Sequence, residues 1–288
     1  DSFKRTRSIW MKVVVFGSDG MLGRYISKYL SLQNINVIKL NRLDYDVSKA
    51  TVDSLMAFLF DFQDLNPRDE SVVIFNSAGV IKHRESDTSK QLEQYNVNTV
   101  FPRILSTIKR KTGVQVIQPS TDCVFSGLHG EYDETNKPVP TDHYSMSKLL
   151  ADFNDNLTII RTSIIGEEIY NKLSLLEWIR SHKLGTNING YTNHFWNGIT
   201  TLQYAKLVHH MIVNNIFWTG VKHVHSPTPV SKYELCNMIN KTYDLGLNIE
   251  KFETEKSIDR TLNTVYEPLI YIPELDKQLT ELREFKLL

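Results

Sequence analysis

A chain of 288 residues is long enough for one large α/β domain, or for a nucleotide-binding domain with a smaller companion. Lysine plus arginine balances aspartate plus glutamate at 33 each, which excludes a net basic field for nucleic acid or anionic lipid. No apolar run approaches the roughly 18 residues of a membrane span, and only two cysteines occur, Cys123 and Cys236, which implies no disulfide framework and suits a reducing cytosol. The first ten residues lack the apolar core of a signal peptide. Met11 directly precedes the first strand and reads as a natural start, with residues 1–10 an extension.

The stretch 12–25, KVVVFGSDGMLGRY, begins with an apolar run, Val13 to Phe16, suited to a strand buried on both faces of a parallel sheet. Gly17, Gly20 and Gly23 follow at three-residue spacing, and a helical pattern (Met21, Leu22, Tyr25, Ile26) comes next. Strand, glycine turn and helix predict the start of a dinucleotide-binding βαβ unit. Gly17 permits the turn, Gly20 lets backbone N–H groups approach a pyrophosphate, and Gly23 lets helix and sheet pack closely. Ser18, Asp19, Met21 and Leu22 complete the expected phosphate cradle.

Residues 36–40 read as the second strand, which in such a unit ends beside the adenosine ribose. Asn41 and Arg42 follow, with Asp46 and Val47 near the adenine. An arginine there pairs with a 2′-phosphate, which favours NADPH, with NADH as the alternative. An amphipathic helix at 52–62 leads to a third strand, 71–75, running into Ser77, Ala78 and Gly79, small residues against which a flat cofactor can lie. A long helix is expected over 92–110. It carries Asn98, placed to meet the cofactor site or to bond the backbone of the neighbouring strand.

The fourth strand, 114–118, runs into PSTDCVFSG, and a helix beginning at Asp142 carries Tyr144 and Lys148 one turn apart on one face. A second Tyr-x-x-x-Lys pair, Tyr45 and Lys49, lies on the adenosine side without a hydroxyl partner at the end of the fourth strand, and is set aside. A fifth strand is expected at 158–161, helices at 173–182 and 200–214, and a sixth strand at 222–225. Ser231 and Glu234 form a capping box for a helix through Tyr243, and a terminal helix covers 274–285. The fold class is therefore α/β: a Rossmann-type doubly wound parallel sheet with a smaller C-terminal α/β substrate lobe. Residues 11–165, joined by about 191–226, form the nucleotide domain, and 166–190 with 227–288 form the substrate lobe, the two interleaving.

The combination GSDGMLGR, NSAG, YNVN, STDCVFSG and YSMSK resembles the extended short-chain dehydrogenase/reductases, and within them the dTDP-4-dehydrorhamnose reductase family. The likeness runs from Met11 to about Asn263 and includes GYTNHFWNGITT, SKYELC and DRTLNT. It implies hydride transfer from NADPH to the C4 ketone of a nucleotide-linked 4-keto-6-deoxy-hexose. Tyr144 would be the proton donor. Lys148 would favour its phenolate state and bond the nicotinamide ribose, and Thr121 would hold the ketone oxygen beside Asp122. No metal is implied. Relatives often pair through helices, so a homodimer is expected.

Cys123, two residues after Thr121, would face the same side on an extended strand. A cysteine occupies the matching place in the related GDP-fucose synthase, where it takes part in epimerisation. Cys123 therefore suggests a bifunctional 3,5-epimerase/4-reductase of the kind that makes UDP-rhamnose, given a lowered thiol pKa; the bland alternative is a small buried cysteine. His182, His194, Lys172 and Glu177 are candidate partners for it, while Cys236 reads as core. The resemblance gives Arg260 the substrate diphosphate, with Asn263 assisting. Thr261 departs from the family's pattern, which usually has proline there. Trp196 stacks on base or sugar, or fills the core. The choice between UDP and dTDP stays open. A non-catalytic regulatory subunit, like the β subunit of methionine adenosyltransferase, is the alternative reading, since fold does not fix function.

Overall fold

The computed structural model describes residues 11–62, 65–81, 88–170 and 172–287; the extension expected at 1–10 lies outside them. The chain begins with β1 (Lys12–Phe16), α1 (Met21–Leu32), β2 (Asn36–Leu40), α2 (Val52–Asp61) and β3 (Val72–Asn76). Next come α3 (Thr88–Tyr95), α4 (Phe101–Thr112), β4 (Gln115–Ser120), α5 (His143–Asp152), β5 (Thr158–Arg161), β6 (Ile164–Ile165) and α6 (Leu175–Arg180). Then follow β7 (Asn187–Tyr191), β8 (His194–Trp196), β9 (Ile199–Thr200), α7 (Thr201–Asn214) and β10 (Gly220–His223). The last elements are β11 (Val230–Ser231), α8 (Lys232–Thr242), β12 (Asn248–Phe252), β13 (Ile258–Asp259) and α9 (Leu275–Glu284).

Six parallel strands form the main sheet in the order β2-β1-β3-β4-β5-β10. The order reverses at β1, whose neighbours are β2 on one side and β3 on the other, so a crevice opens beyond the carboxyl ends of β1 and β3. The apolar run of β1 is buried throughout because both faces of the sheet are covered. Val13 and Val15 enter one core with Tyr25, Ile26 and residues of α7 and α8, while Val14 and Phe16 enter a second with α2 and α4. The first core also takes in Trp196, Leu235 and Ile239, so a single apolar cluster runs through the nucleotide-binding and C-terminal parts.

The long helix expected over 92–110 is interrupted. A π turn at Asn96–Val100 separates α3 from α4, with the Phe101 N–H reaching back to the Asn96 carbonyl. Pro102 stands in the first turn of α4 and has no N–H to continue an α-helical ladder. The turn has a use: Asn98 donates to Val80 O (2.9 Å) and Ser147 Oγ (3.0 Å), and Thr99 Oγ1 donates to Ser147 O (2.7 Å). α5 is thereby fastened to the edge of the crevice.

The C-terminal part holds small strands that single-segment patterning does not reveal. β7 pairs with β12, β8 lies between β11 and β13, and β6 pairs with β9. The Ser231 capping box is present, with Ser231 Oγ accepting from Glu234 N at 3.1 Å and Glu234 accepting from Ser231 N at 2.7 Å. Asn263 N donates to Tyr132 O at 2.8 Å, joining the loop after β13 to the loop after β4.

A buried polar chain ties the two parts together. Asp152 on α5 accepts from Ser120 Oγ (2.8 Å) and pairs with Arg161 (2.7 Å), and Arg161 meets His223 Nε2 at 3.0 Å. His223 Nδ1 lies 3.0 Å from Tyr132 O and 2.9 Å from Asn263 O, so that nitrogen carries the proton and Nε2 accepts from the guanidinium. Burial, with the Arg161 charge beside it, pushes the His223 pKa down to about 4. Below the ordinary histidine value near 6.5 the unfolded chain takes up a proton that the folded chain refuses until about 4. The stability contributed by neutral His223 is therefore complete above pH 6.5 and lost as pH falls toward 4. Urea unfolding across that window is expected to show a falling midpoint, and His223→Gln is expected to flatten the fall; parallel curves for both proteins would refute the assignment.

Candidate active site

The glycine turn is built as its spacing requires. Gly17 has φ +70°, and a Cβ there would lie 2.6 Å from Ala78 N. A Cβ at Gly23 would lie 2.3 Å from Gly17 O, so α1 packs directly on the turn. Gly20 is looser, with its nearest neighbour at 3.3 Å. Ser77 Oγ donates to Phe16 O (2.6 Å) and Gly17 O (3.2 Å), locking the ends of β1 and β3 together. Ser18 is buried, its N–H donating to Leu40 O at 3.1 Å, and Asp19 is exposed, its carbonyl taking Arg24 Nε at 2.7 Å.

A cleft of about 640 Å³ runs from this turn to α5. Gly20, Met21, Leu22, Ser77, Ala78, Gly79 and Asn98 line one end of it; Thr121, Asp122, Cys123, Tyr144 and Lys148 line the other. An adjoining recess holds Asn41, Arg42, Asp46 and Val47. Arg42 is exposed and pairs with Glu93 (2.8 Å) and Asp46 (3.7 Å). The close-packed glycines, the exposed cation at the end of β2 and the backbone N–H groups at the start of α1 fit a dinucleotide carrying a 2′-phosphate.

At the other end of the cleft β4 stops at Ser120. Cys123 therefore does not continue an extended strand, as the sequence suggested; Asp122–Val124 is a 3₁₀ turn. Thr121 caps it, its Oγ1 accepting from Cys123 N at 3.2 Å, because a short hydroxyl can satisfy the free N–H of a tight turn. Asp142 caps α5, accepting from Ser145 N at 2.8 Å, and the helix carries Tyr144 and Lys148 into the cleft. Burial, with the charges of Cys123 and Asp122 near it, raises the Tyr144 pKa, against a hydrogen bond from Thr121. The phenol is thus held protonated rather than driven toward phenolate. Lys148 Nζ donates to Pro119 O at 2.9 Å; burial lowers its pKa and Asp152 opposes this. Burial and the Asp122 charge push the Cys123 thiol up to about 12, the opposite of the lowering expected for a reactive thiolate.

Arg260 Nε donates to Phe125 O at 3.0 Å, and its charge reaches Asp122 and Cys123. Thr261, where proline is usual, is buried and tied to Asp259 Oδ1 (2.7 Å) and Glu131 N (2.8 Å), an anchor proline could not make. Asn263 is exposed, its side chain accepting from Thr264 N at 2.8 Å. Trp196 is buried, with its indole donating to Ser163 Oγ at 2.7 Å and the Lys232 ammonium over its ring, so it meets the cleft through Ser163 rather than through an open face. Among the candidate partners of Cys123, Glu177 accepts from Glu168 N and pairs with Arg180, His182 bonds Trp178 O, and Lys172 is exposed. His194 lies near Lys232 and Arg260, with Nε2 bonded to Thr254 Oγ1 at 2.8 Å. No cluster of three or more metal-ligating side chains occurs among the described residues.

Ser163 and Lys232 escaped the sequence reading, and Asn76 entered it only as part of the NSAG stretch. Asn76 is buried at the end of β3, donating to Gln118 Oε1 (2.8 Å) and accepting from Ala78 N (3.2 Å), which shapes the floor of the cleft. An asparagine closing an apolar strand was the available signal. Lys232 gave none, because its surroundings come from the turn after β4 and from β8.

The chain is similar in fold to a dTDP-4-dehydrorhamnose reductase from Bacillus anthracis in complex with NADP, with TM-score 0.78 at 17% identity, covering 96% of this chain and 100% of that one. A dTDP-4-dehydrorhamnose reductase ortholog from Clostridium acetobutylicum gives 0.75 at 20% identity, covering 95% and 99%. A UDP-glucose 4-epimerase from Thermotoga maritima, solved with UDP-glucose, gives 0.71 at 14% identity, covering 96% and 98%. No curated protein matches the sequence significantly. The family described as the RmlD substrate binding domain matches residues 11–258, and with the glycine turn, the Thr121–Tyr144–Lys148 cleft and the doubly wound sheet in place, the chain belongs to that family.

Proposed function

We propose that this chain reduces the C4 ketone of a nucleotide-linked 4-keto-6-deoxy-hexose with NADPH and also epimerises C3 and C5, yielding a nucleotide-activated rhamnose with UDP or dTDP as the carrier. The observation that carries this reading is the meeting of Thr121, Tyr144 and Lys148 in the cleft that begins at the glycine turn. Membership of the family and the sugar-nucleotide enzymes among its structural neighbours support the substrate class.

NADPH supplies the hydride when bound. Gly17, Gly20 and Gly23 would receive its pyrophosphate, Ser77 to Gly79 its flat face and Lys148 its ribose hydroxyls. Tyr144 gives its phenolic proton to the carbonyl oxygen as negative charge develops there, and Thr121 holds that oxygen in line. Burial keeps Tyr144 protonated, the form that donates, as a weaker acid than a free phenol. Cys123 would enter the epimerisation as its thiol, since burial and the Asp122 charge keep it protonated. Arg260 would take the diphosphate, with Asp122 and Asn263 at the margins. Residues 11–165 with about 191–226 would hold the cofactor and the rest the sugar nucleotide. A cytosolic homodimer completes the reading, and light scattering checks the pairing.

The test is NADPH consumption in deuterated water with UDP- and dTDP-4-keto-6-deoxyglucose and no added epimerase. Oxidation with deuterium at C3 and C5 is expected; silence with both substrates, even after an epimerase is added, would overturn the reading in favour of a regulatory role. Arg42 carries a separate expectation. A 2′-phosphate would displace Glu93 from the guanidinium, so Arg42→Ala should raise KM for NADPH about tenfold or more while leaving KM for NADH nearly unchanged. Equal effects on both cofactors would remove Arg42 from the site.

A further inference from the structure

We propose that Glu93 sets the choice between NADPH and NADH, its carboxylate opposing a 2′-phosphate at Arg42 and favouring a free 2′-hydroxyl. This rests on the cofactor site described for the proposed function and names a determinant that lies outside the run of residues after β2.

The end of β2 carries one half of the arrangement. Asn41 shapes the turn that follows, its N–H donating to Asp44 Oδ2 at 2.8 Å and its side-chain oxygen accepting from Leu43 N at 2.8 Å. Arg42 stands on that turn with its side chain 68% exposed. The other half comes from α3, 51 positions further along the chain. Gln94, next to Glu93, is buried and donates to Ile81 O at 3.0 Å. Asn98, about one turn on, accepts from Val80 N and donates to Val80 O, each at 2.9 Å. The end of α3 is thereby pinned to the segment leaving β3. Glu93 and Val97, four positions apart, both line the adenosine recess. Glu93 Oε1 accepts from Arg42 Nη1 at 2.8 Å, and both residues line the recess and the cleft, so the ion pair stands where the two spaces join.

The charges of the recess decide what this pair does. Among the described residues lining it, Arg42 is the one cation, against the carboxylates of Asp19, Asp46 and Glu93. Asp46 lies 3.7 Å from the guanidinium, and its other oxygen accepts from Ser48 N (3.1 Å) and Ser48 Oγ (2.6 Å). Glu93 is therefore the close partner that a 2′-phosphate must part from Arg42. The displaced carboxylate remains on the pinned wall, where its charge repels the phosphate. Both effects weaken NADPH. A free 2′-hydroxyl displaces nothing, and a carboxylate at the ribose can accept from it. Arginine and glutamate thus divide the two forms of the ribose between them. Their exposure to water keeps each effect to severalfold.

Dissociation constants for NADPH and NADH, measured by titration calorimetry, test this without turnover. Glu93→Gln keeps the size of the side chain and removes its charge. It is expected to tighten NADPH about threefold or more and to leave NADH unchanged or weaker, so that the preference for NADPH rises. Glu93→Lys should raise it further. The gain in Glu93→Gln should shrink as salt is raised from about 0.05 to about 0.5 M, because exposed charges are screened. A preference that stays level in both variants, or moves toward NADH, would overturn the proposal, and so would a gain untouched by salt. A wild type that binds neither cofactor would overturn it together with the cofactor site on which it rests. Failure to reduce any sugar ketone while both cofactors bind as expected would instead overturn the proposed function and leave Glu93 in its role.

Discussion

Replacing Tyr144 with phenylalanine is expected to lower kcat for ketone reduction by about 10²- to 10⁴-fold, the range lost with a positioned general acid, while KM for the sugar nucleotide changes little. The ring stays, so packing around α5 is kept; only the proton and its bond to Thr121 go. Burial raises the Tyr144 pKa above the ordinary value of 10, so the phenol stays protonated through neutral pH while becoming a weaker acid. The alkaline limb of the kcat profile is accordingly expected above that value in the wild type. Steady-state kinetics with an already epimerised ketone isolate this step. A variant with less than tenfold loss would mean that another group protonates the oxygen, and Tyr144 would leave the catalytic set.

The second large effect is expected at Gly23. An alanine methyl would fall 2.3 Å from Gly17 O, 2.6 Å from Ser77 Oγ and 2.9 Å from Ser18 Cα. Two of these atoms are backbone of the glycine turn itself, so relief requires α1 to lift away from the sheet. The cost is about 1–3 kcal/mol or more of stability, typical of overpacking a filled site, together with loss of most NADPH affinity. Gly20→Ala is the control for stability alone: its backbone is extended and its nearest neighbour lies at 3.3 Å, so the fold should tolerate it. Thermal melts with cofactor titration compare the two. Equal tolerance of both alanines would refute the close-packing role assigned to Gly23.

The parts of the site legible in the sequence are those whose chemistry is local. The glycine spacing stands in one turn, and its steric need arises from neighbours brought by β1, α1 and the adjoining β3. Tyr144 and Lys148 share a helix face because four residues make about one turn. The capping box at Ser231 is likewise a matter of three residues. The expectation for Cys123 differed at the level of backbone: Thr121 ends the strand by capping a 3₁₀ turn, and a period-two argument cannot anticipate that. The expected pKa directions for Tyr144 and Cys123 also reversed, since a charge one helical turn away was visible in the sequence and the burial that outweighs it was not.

The sequence by itself determined the βαβ beginning and the doubly wound class and offered a set of candidate site residues, because short-range periodicity and turn chemistry are local. Only the tertiary structure decided which of those residues meet. Lys232 is more than a hundred positions from Cys123, and the β8–β11–β13 sheet brings it to the same region. His223 becomes a neutral link because Arg161, Tyr132 and Asn263 converge on it from three separate segments. Such surroundings are products of long-range packing and burial, and a chain read in windows carries no record of them.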